Sequence, residues 1–334
     1  MSSITQNTQI KLIARPQGAP TAELFKVETQ PVPKIEKGQF LVKQSHMSLD
    51  PAMLGWMSAD RDSYIPPVEL NDVMRSSGYA EVIESQHPDF AVGDPVTGMF
   101  GWQEYAVSNG QGINKVDPSL PADMVLSVLA LPGLTATQGL LRTAQPKSGD
   151  TLVVTGAAGS VGSIVGQLAK AKGLRVIGVV GSDDKADWIV NTLGFDGAIN
   201  YKTDNLNEKL TELTPDGIDL FFENTGGPIQ SLIFQRMNAH GQIIVCGMIA
   251  DYTAAEPAPG PNWINIIKKR LSIQGFTMPD HFHEVPQILE LLVPFVQKGQ
   301  IQYRSHTLKG LTSAIGGLNL LFNGGNQGKL IVEL

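Results

Sequence analysis

Cysteine occurs once in the 334 residues, at Cys246, so no disulfide can form within the chain. One Cys and six scattered His also fall short of the clustered ligand set that zinc sites generally need. The close pair His281 and His283, in PDHFHEV, reads as exposed loop chemistry, and no metal is expected. Positive charge is short as well. Lys and Arg number 25 against 32 Asp and Glu, a net charge of −7, and no basic tract gathers a nucleic-acid surface. Long apolar runs are missing: nothing approaches bilayer length, and the opening MSSITQNTQIKLIARP lacks the apolar core of a signal peptide. The expectation is a cytoplasmic protein with no membrane and no nucleic-acid partner. What remains, 42% hydrophobic and 17% charged residues, is a globular composition, and the length suits two domains.

One further absence is local and more telling. The stretch TLVVTGAAGSVGSIVGQLAKAKGLRVIGVVGSDDK, residues 151–185, reads as strand, glycine turn, helix and second strand. Leu152, Val153 and Val154 suit a strand buried on both faces. Gly156, Gly159 and Gly162 recur at every third position, which fits a tight turn, close approach of backbone to a pyrophosphate, and close packing of helix on strand. Ile164, Val165, Leu168, Ala169 and Ala171 then mark one apolar helix face, with the free N-terminal amides pointing at the phosphates. Gly173 ends that helix, and Arg175 to Val180 follows as the second strand. About twenty residues after the turn, a NAD site places an acid to receive the ribose 2′-hydroxyl. Here the strand ends in Gly181 and Ser182. That leaves room for a 2′-phosphate, which Lys185 can reach as a cation, and NADP is the cofactor favoured. Asp183 and Asp184 are first-turn acids of the next helix; the alternative is a NAD acid displaced by two residues.

The chain divides into three pieces. Residues 1–123 hold short β-like runs broken by Gly, Pro and Asn, such as QFLVKQSHMSL, GYAEVIES and DPVTGMFGWQEYAVS, and predict a β-rich, barrel-like domain. Residues 124–299 alternate strands (LVVTG, RVIGVV, GAINY, IDLFFENTG, QIIVCGM, LSIQGF) with helical stretches and predict a doubly wound parallel α/β sheet. Residues 300–334 have strand character and no room for a core, so they return to the first domain. Cys246, in the apolar run IIVCG, reads as a small buried hydrophobe. The Pro-rich loop EPAPGPN, 256–262, is placed to border an active site.

Several strings together resemble one family: SLDPAM, HPDFAVGDPVTGMFGWQEY, LPGLTATQGLL, VVTGAAGSVGS, VVGSDDK, INYKT, FFENTGG, VCGMIADY, PGP and GKLIV. They are similar to the zinc-independent medium-chain dehydrogenase/reductases. Within these they resemble the NADPH-dependent alkenal/one oxidoreductases: leukotriene/prostaglandin reductases, plant double-bond reductases and the bacterial curcumin reductase group. The resemblance implies a Rossmann NADP-binding domain beside a GroES-like domain. It also implies reduction of the carbon–carbon double bond of α,β-unsaturated ketones or aldehydes by hydride transfer to the β-carbon, and a homodimer joined through the nucleotide-binding domain.

Its site residues map position by position. Gly159, Ser160, Val161 and Gly162 hold the pyrophosphate. Lys185 and Tyr201 hold the 2′-phosphate, although Tyr201 alone reads as a strand-end aromatic half under the sheet. Asn224 contacts the cofactor, with helix capping as the alternative. Cys246, Gly247, Met248, Ile249 and Tyr252 form the loop at the nicotinamide. Phe276, Thr277 and Met278 give backbone to the carboxamide, and Asn326 reaches the cofactor from the tail. Tyr252 is the candidate donor to the substrate oxygen, against a role in ordering the loop. Where relatives read S-x-D-P-Y-M-R, the chain has Pro51, Ala52, Met53 and Leu54, so the substrate pocket loses a phenol and a guanidinium. Arg75, in VMRSSG, either flanks that pocket and favours an anionic substrate or is a solvated surface arginine. Quinone reduction, and NADPH binding with little turnover, remain open alternatives at this point.

Overall fold

The computed structural model describes residues 5–256 and 258–334. Residues 1–4 of the opening segment and Pro257 of the Pro-rich loop lie outside the described residues. The chain divides into two compact units. One runs through Leu126 and resumes over Ser305–Leu334; the other is Ser127–Arg304.

The first unit begins with an antiparallel pair, β1 (Gln6–Leu12) and β2 (Phe25–Pro31), in register from Gln6 opposite Pro31 to Leu12 opposite Phe25. A larger sheet follows: β3 (Phe40–Ser48), β4 (Ser77–Ser85), β5 (Pro95–Met99), β6 (Tyr105–Ser108) and β7 (Asn114–Lys115), with the short helix α1 (Met53–Met57) after β3. Alternate residues of these strands point to one side, as the pleat requires, so Phe40, Val42, Ala80, Val82 and Val96 meet in one buried cluster.

In the second unit the strands are β8 (Thr151–Thr155), β9 (Arg175–Val180), β10 (Gly197–Asn200), β11 (Ile218–Glu223), β12 (Met237–Val245) and β13 (Ser272–Gly275). They form a parallel sheet in the order β10-β9-β8-β11-β12-β13. That is the doubly wound dinucleotide-binding order, which reverses between β8 and β11. Its helices are α2 (Ser160–Ala171), α3 (Asp183–Asn191), α4 (Leu206–Leu213), α5 (Pro228–Arg236) and α6 (Val285–Gln297). Leu152, Val154, Leu220 and Phe222 pack with Ile164, Val165 and Leu168 of α2, while Val153, Ile177, Phe221 and Ile243 pack with Ile229, Ile233 and Phe234 of α5. Period-two alternation thus feeds a core on each face. Each fully buried Val, Leu, Ile or Phe contributes about 1.5–3 kcal/mol, and Phe221→Ala is the kind of change that costs about 3–5. α2 is buried over most of its circumference from Gly162 to Ala169, but Ala171, expected on the apolar face, is exposed in the last turn of the helix.

The chain then returns to the first unit as β14 (Ser305–Lys309) and β15 (Lys329–Glu333), and β15 pairs antiparallel with β3. A buried ion pair fastens this return. The Lys329 ammonium, 2% exposed, meets Asp50 Oδ1 at 2.5 Å and the Leu49 carbonyl at 2.9 Å, while Ser48 donates to the other Asp50 oxygen.

The expectation that no apolar run nears bilayer length is corrected by the helical segment Ala122–Thr143, which is long and apolar enough. Most of it, 67% of its apolar window, is buried within the protein, the pattern of a core helix.

Candidate active site

The parallel sheet gathers its loops at the carboxyl edge, and backbone hydrogen bonds stitch one strand end to the next. Tyr201 N donates to the Val180 carbonyl and Ala157 N to the Val179 carbonyl, at 3.0 and 3.1 Å. On the other side of the reversal, Cys246 N and Gly247 N donate to the Glu223 carbonyl, and Ala250 N to the Thr225 carbonyl. Asn224 closes the reversal itself: its amide Nδ2 donates to the Thr155 carbonyl at 2.8 Å and its backbone N to Thr155 Oγ1 at 2.9 Å. Helix capping, the alternative for Asn224, does not occur, since the residue before α5 is Gly227 and no side chain caps that helix.

Glu223, fully buried, is a residue sequence reasoning missed. Its carboxylate accepts from Thr155 Oγ1 (2.5 Å), Thr225 N (2.7 Å) and Gln230 Nε2 (3.2 Å), so it fixes both strand ends under the site. The only sequence signal was an acid inside an apolar strand, FFEN, where an unpaired charge is too costly to be accidental.

The glycine turn has the form its spacing predicts. Gly156 sits at φ +59, a left-handed conformation that other residues resist. A Cβ on Gly162 would lie 2.4 Å from the Gly156 carbonyl oxygen, so only glycine lets α2 close onto the turn. Gly159 is the residue before α2, and no side chain caps it. The first-turn amides of Ser160, Val161 and Gly162 therefore have no intrahelical partner and suit an anion.

At the end of β9, Ser182 caps α3 by accepting from Lys185 N at 3.4 Å, and Asp183 and Asp184 occupy the first turn. Asp183 is engaged by Asn200 Nδ2 at 2.8 Å. Tyr201 is not under the sheet: it is 49% exposed, and its ring lies over Gly181, where a Cβ would come within 3.0 Å. Lys202, also missed from sequence, places its ammonium 5.9 Å from the Tyr201 ring centroid. Burial holds the Lys185 pKa below its ordinary value, and the charge of Lys202 lowers it further. Two cations and a phenol around an acid-free strand end suit a phosphate on a ribose.

Beyond β12 the loop turns through Met248 into a short helix, Ile249–Tyr252. Tyr252 is 41% exposed, and its hydroxyl accepts from Met248 N at 3.3 Å, so the ring orders this loop. Cys246 is half-buried against the core, and burial, with the neighbouring Glu223 charge, pushes its thiol up to about 12. Phe276 packs its ring toward Gly139 and the core, and Met278 is buried with Leu134 and Ile288. Thr277 precedes a 3-10 turn, Met278–Glu284, which it does not cap. The side chains of Phe276 and Met278 are thus taken up by packing. His281, expected in exposed loop, is half-buried instead: its Nδ1 meets Glu284 Oε2 at 2.8 Å, and Arg142 grips the same carboxylate at 2.8 and 3.1 Å.

In the first unit, Pro51 and Ala52 form the turn into α1, and Trp56 N donates to the Ala52 carbonyl at 3.1 Å. Arg75 is half-buried. Its guanidinium lies 5.6 Å from the Trp56 ring centroid and donates to the Pro66 carbonyl at 3.0 Å. Asn326 donates to the Gly328 carbonyl at 2.8 Å, which shapes the loop before β15.

Residues 8–116 match the family described as the N-terminal domain of oxidoreductase, and residues 160–293 the family described as zinc-binding dehydrogenase. Among the described residues, no group of three or more His, Cys, Asp or Glu could hold a metal ion. NADPH-dependent curcumin reductase of Escherichia coli strain K12 is 38% identical over 337 residues, 98% of this chain and 97% of that protein. NADP(+)-dependent 2-alkenal reductase of Nicotiana tabacum is 37% identical over 295 residues, 87% of this chain and 86% of that protein. The crystal structure of CurA from Vibrio vulnificus in complex with NADPH superposes with a TM-score of 0.92 at 38% identity, covering 98% of each chain. By these matches, and by a Rossmann sheet and a GroES-like unit with no gathered metal ligands among the described residues, the chain belongs to the zinc-independent, NADPH-dependent branch of the medium-chain dehydrogenase/reductases.

Proposed function

We infer that this protein uses NADPH to reduce the carbon–carbon double bond of α,β-unsaturated ketones and aldehydes, with hydride arriving at the β-carbon. The observation that carries the cofactor half is the acid-free end of β9, flanked by Lys185, Tyr201 and Lys202. The acceptor half rests on relatives that bear the names curcumin, 2-alkenal and prostaglandin reductase.

NADPH supplies the hydride when bound. The chain's own residues do the rest. The amides of Ser160, Val161 and Gly162 receive the pyrophosphate, and Lys185, Tyr201 and Lys202 receive the 2′-phosphate. Asn224 and the backbone of Gly247, Met248, Ile249, Phe276, Thr277 and Met278 position the nicotinamide end, with Cys246 as neutral packing behind it. Asn326 is the residue of the first unit that the resemblance assigns to the cofactor, and it shapes its own loop. As the β-carbon gains hydride, negative charge grows on the carbonyl oxygen, and a donor placed there lowers the barrier. Tyr252 takes that role: the Met248 amide fixes its oxygen, and its phenol donates to the substrate oxygen. On the first unit, Pro51, Ala52 and Arg75 are the residues that the resemblance assigns to the substrate.

The functional form is a homodimer joined through the nucleotide-binding unit. Supporting this, β13 is an edge strand, and beside it Trp263, Ile264 and Ile267 are exposed at 60%, 44% and 73%.

Mixing the protein with NADPH and a panel of enones, enals and quinones, and following loss of cofactor absorbance, tests the reading. Turnover with enones is expected. NADPH binding without oxidation by any acceptor rules it out, and turnover confined to quinones replaces it.

A further inference from the structure

Glu223, the last residue of β11, is a fully buried carboxylate, and among the described residues it belongs to no ion pair. Burial of this kind is costly unless the oxygens find donors, and here neutral donors serve both. They are shared out unequally. Oε1 takes the Thr155 hydroxyl and the Thr225 amide, which closes the two strand ends. Oε2 takes instead the side-chain amide of Gln230, in the first turn of α5, at 3.2 Å.

Gln230 carries the contact onward. Its Nε2 has two hydrogens, and the second partner is Met248 Sδ at 3.5 Å. Both partners are acceptors, so the nitrogen of the amide, not its oxygen, must lie between them. Glu223 thereby fixes which end of Gln230 meets Met248. A thioether is a weak acceptor, and the contact supplies direction more than energy. Gly226 closes in as well: at φ +71, a Cβ there would lie 2.9 Å from Met248 Cε and 2.8 Å from Asp251 Oδ2. The Met248 amide in turn donates to the Tyr252 hydroxyl at 3.3 Å, and the next two amides, of Ile249 and Ala250, donate to the Asn224 and Thr225 carbonyls. Glu223 thus reaches Tyr252 through Gln230 and Met248, within the second unit alone.

We propose that Glu223 is a positioning residue for hydride transfer: through Gln230 it seats Met248, whose amide sets the Tyr252 hydroxyl. The inference rests on the enone-reductase reading, in which Tyr252 donates to the substrate oxygen. Glu223→Gln keeps the shape and leaves one oxygen for Thr155 and Thr225, but it turns an NH2 toward Gln230. Two donors then oppose each other, the Gln230 amide turns over, and its oxygen meets the thioether, acceptor against acceptor. The strand ends stay closed while the tie to Met248 is lost.

The test measures kcat with an enone for wild type, Glu223→Gln, Tyr252→Phe and the double variant. Beside it stands the dissociation constant of 2′,5′-ADP, which has the 2′-phosphate but no nicotinamide. Glu223→Gln is expected to lower kcat roughly 10-fold, the scale of a misplaced donor, with 2′,5′-ADP binding unchanged. In the Tyr252→Phe background it is expected to have little further effect, because residues that act as one unit are not additive. Equal losses in both backgrounds, no loss in the Tyr252 background of wild type, or a loss of 2′,5′-ADP affinity that matches the loss of kcat overturns the proposal and leaves enone reduction standing. Tyr252→Phe without effect on kcat removes the role of Tyr252 and this inference together. Should Glu223→Gln not fold, Gln230→Leu breaks the same chain and keeps both strand ends, and the same outcomes apply. If wild type reduces no enone, the emission of bound NADPH takes the place of kcat. A change in Glu223→Gln with 2′,5′-ADP binding intact then keeps the positioning role and removes the enone reading; unchanged emission removes both.

Discussion

Lys185 and Lys202 bring two ammonium groups to the end of one strand, where burial first and mutual repulsion second lower the pKa of Lys185. A phosphate placed beside them would offset that cost. Lys185→Ala is therefore expected to weaken NADPH binding roughly 10- to 100-fold while leaving NADH nearly unaffected, because only NADPH presents the 2′-phosphate. Fluorescence titration with both cofactors measures the split, and equal losses for both would refute the phosphate assignment. Cys246 gives a second check at this scale. With its thiol pushed up to about 12, almost none of it is thiolate at neutral pH, and iodoacetamide is expected to label it in urea but not in the native protein. Lys185 was legible in sequence because the strand before it ends without an acid. Lys202 was not, since a lysine in an exposed turn looks the same whether or not an aromatic ring lies beside it. Arg75 likewise showed its chemistry only when Trp56, distant in sequence, was found beneath it.

Two elements are tied by charge in ways that can be measured. The Asp50–Lys329 pair joins the end of β3 to the start of β15 in a setting largely closed to water. Lys329→Met strands Asp50 and is expected to cost about 3–5 kcal/mol in urea denaturation, and adding Asp50→Asn to recover part of that loss. A loss below about 1 kcal/mol would mean the pair is dispensable. On the other unit, hydrogen bonds from Arg142 and then His281 lower the Glu284 pKa from 4.5 to about 2. A carboxylate with a depressed folded pKa adds stability that is complete above its unfolded value and lost as pH falls through the folded one. The difference in melting temperature between wild type and Glu284→Gln is thus expected to be largest above pH 4.5 and to vanish toward pH 2. A difference independent of pH would contradict the assignment. Strands of the parallel sheet were legible because burial on both faces makes them continuous apolar runs. The β1–β2 pair was not, because QNTQIKL and FKVETQP alternate with polar residues and lie between ordinary loops. The helical segment Ala122–Thr143 escaped for the opposite reason, its apolar residues being diluted by Gly, Thr, Ser and Pro.

For the whole molecule, the order of β-rich segment, alternating β and α, and returning tail carried the architecture, since a tail of that length must borrow a core. The register in which β15 pairs with β3 brings Asp50 to Lys329, 279 residues apart, and no local pattern encodes that meeting. Association belongs to this scale too. Light scattering is expected to return the mass of two 35.9 kDa chains, and Ile267→Glu, at the most exposed apolar position beside β13, to shift it toward one. A monomer in the wild type would remove the dimer proposal. The reaction itself is tested most directly by isotope transfer: NADPH deuterated at the nicotinamide C4 is supplied with an enone, and the product is examined by NMR. Deuterium on the β-carbon of a saturated ketone is the predicted result; deuterium on the carbonyl carbon of an allylic alcohol, or no transfer to any enone despite bound NADPH, would contradict it.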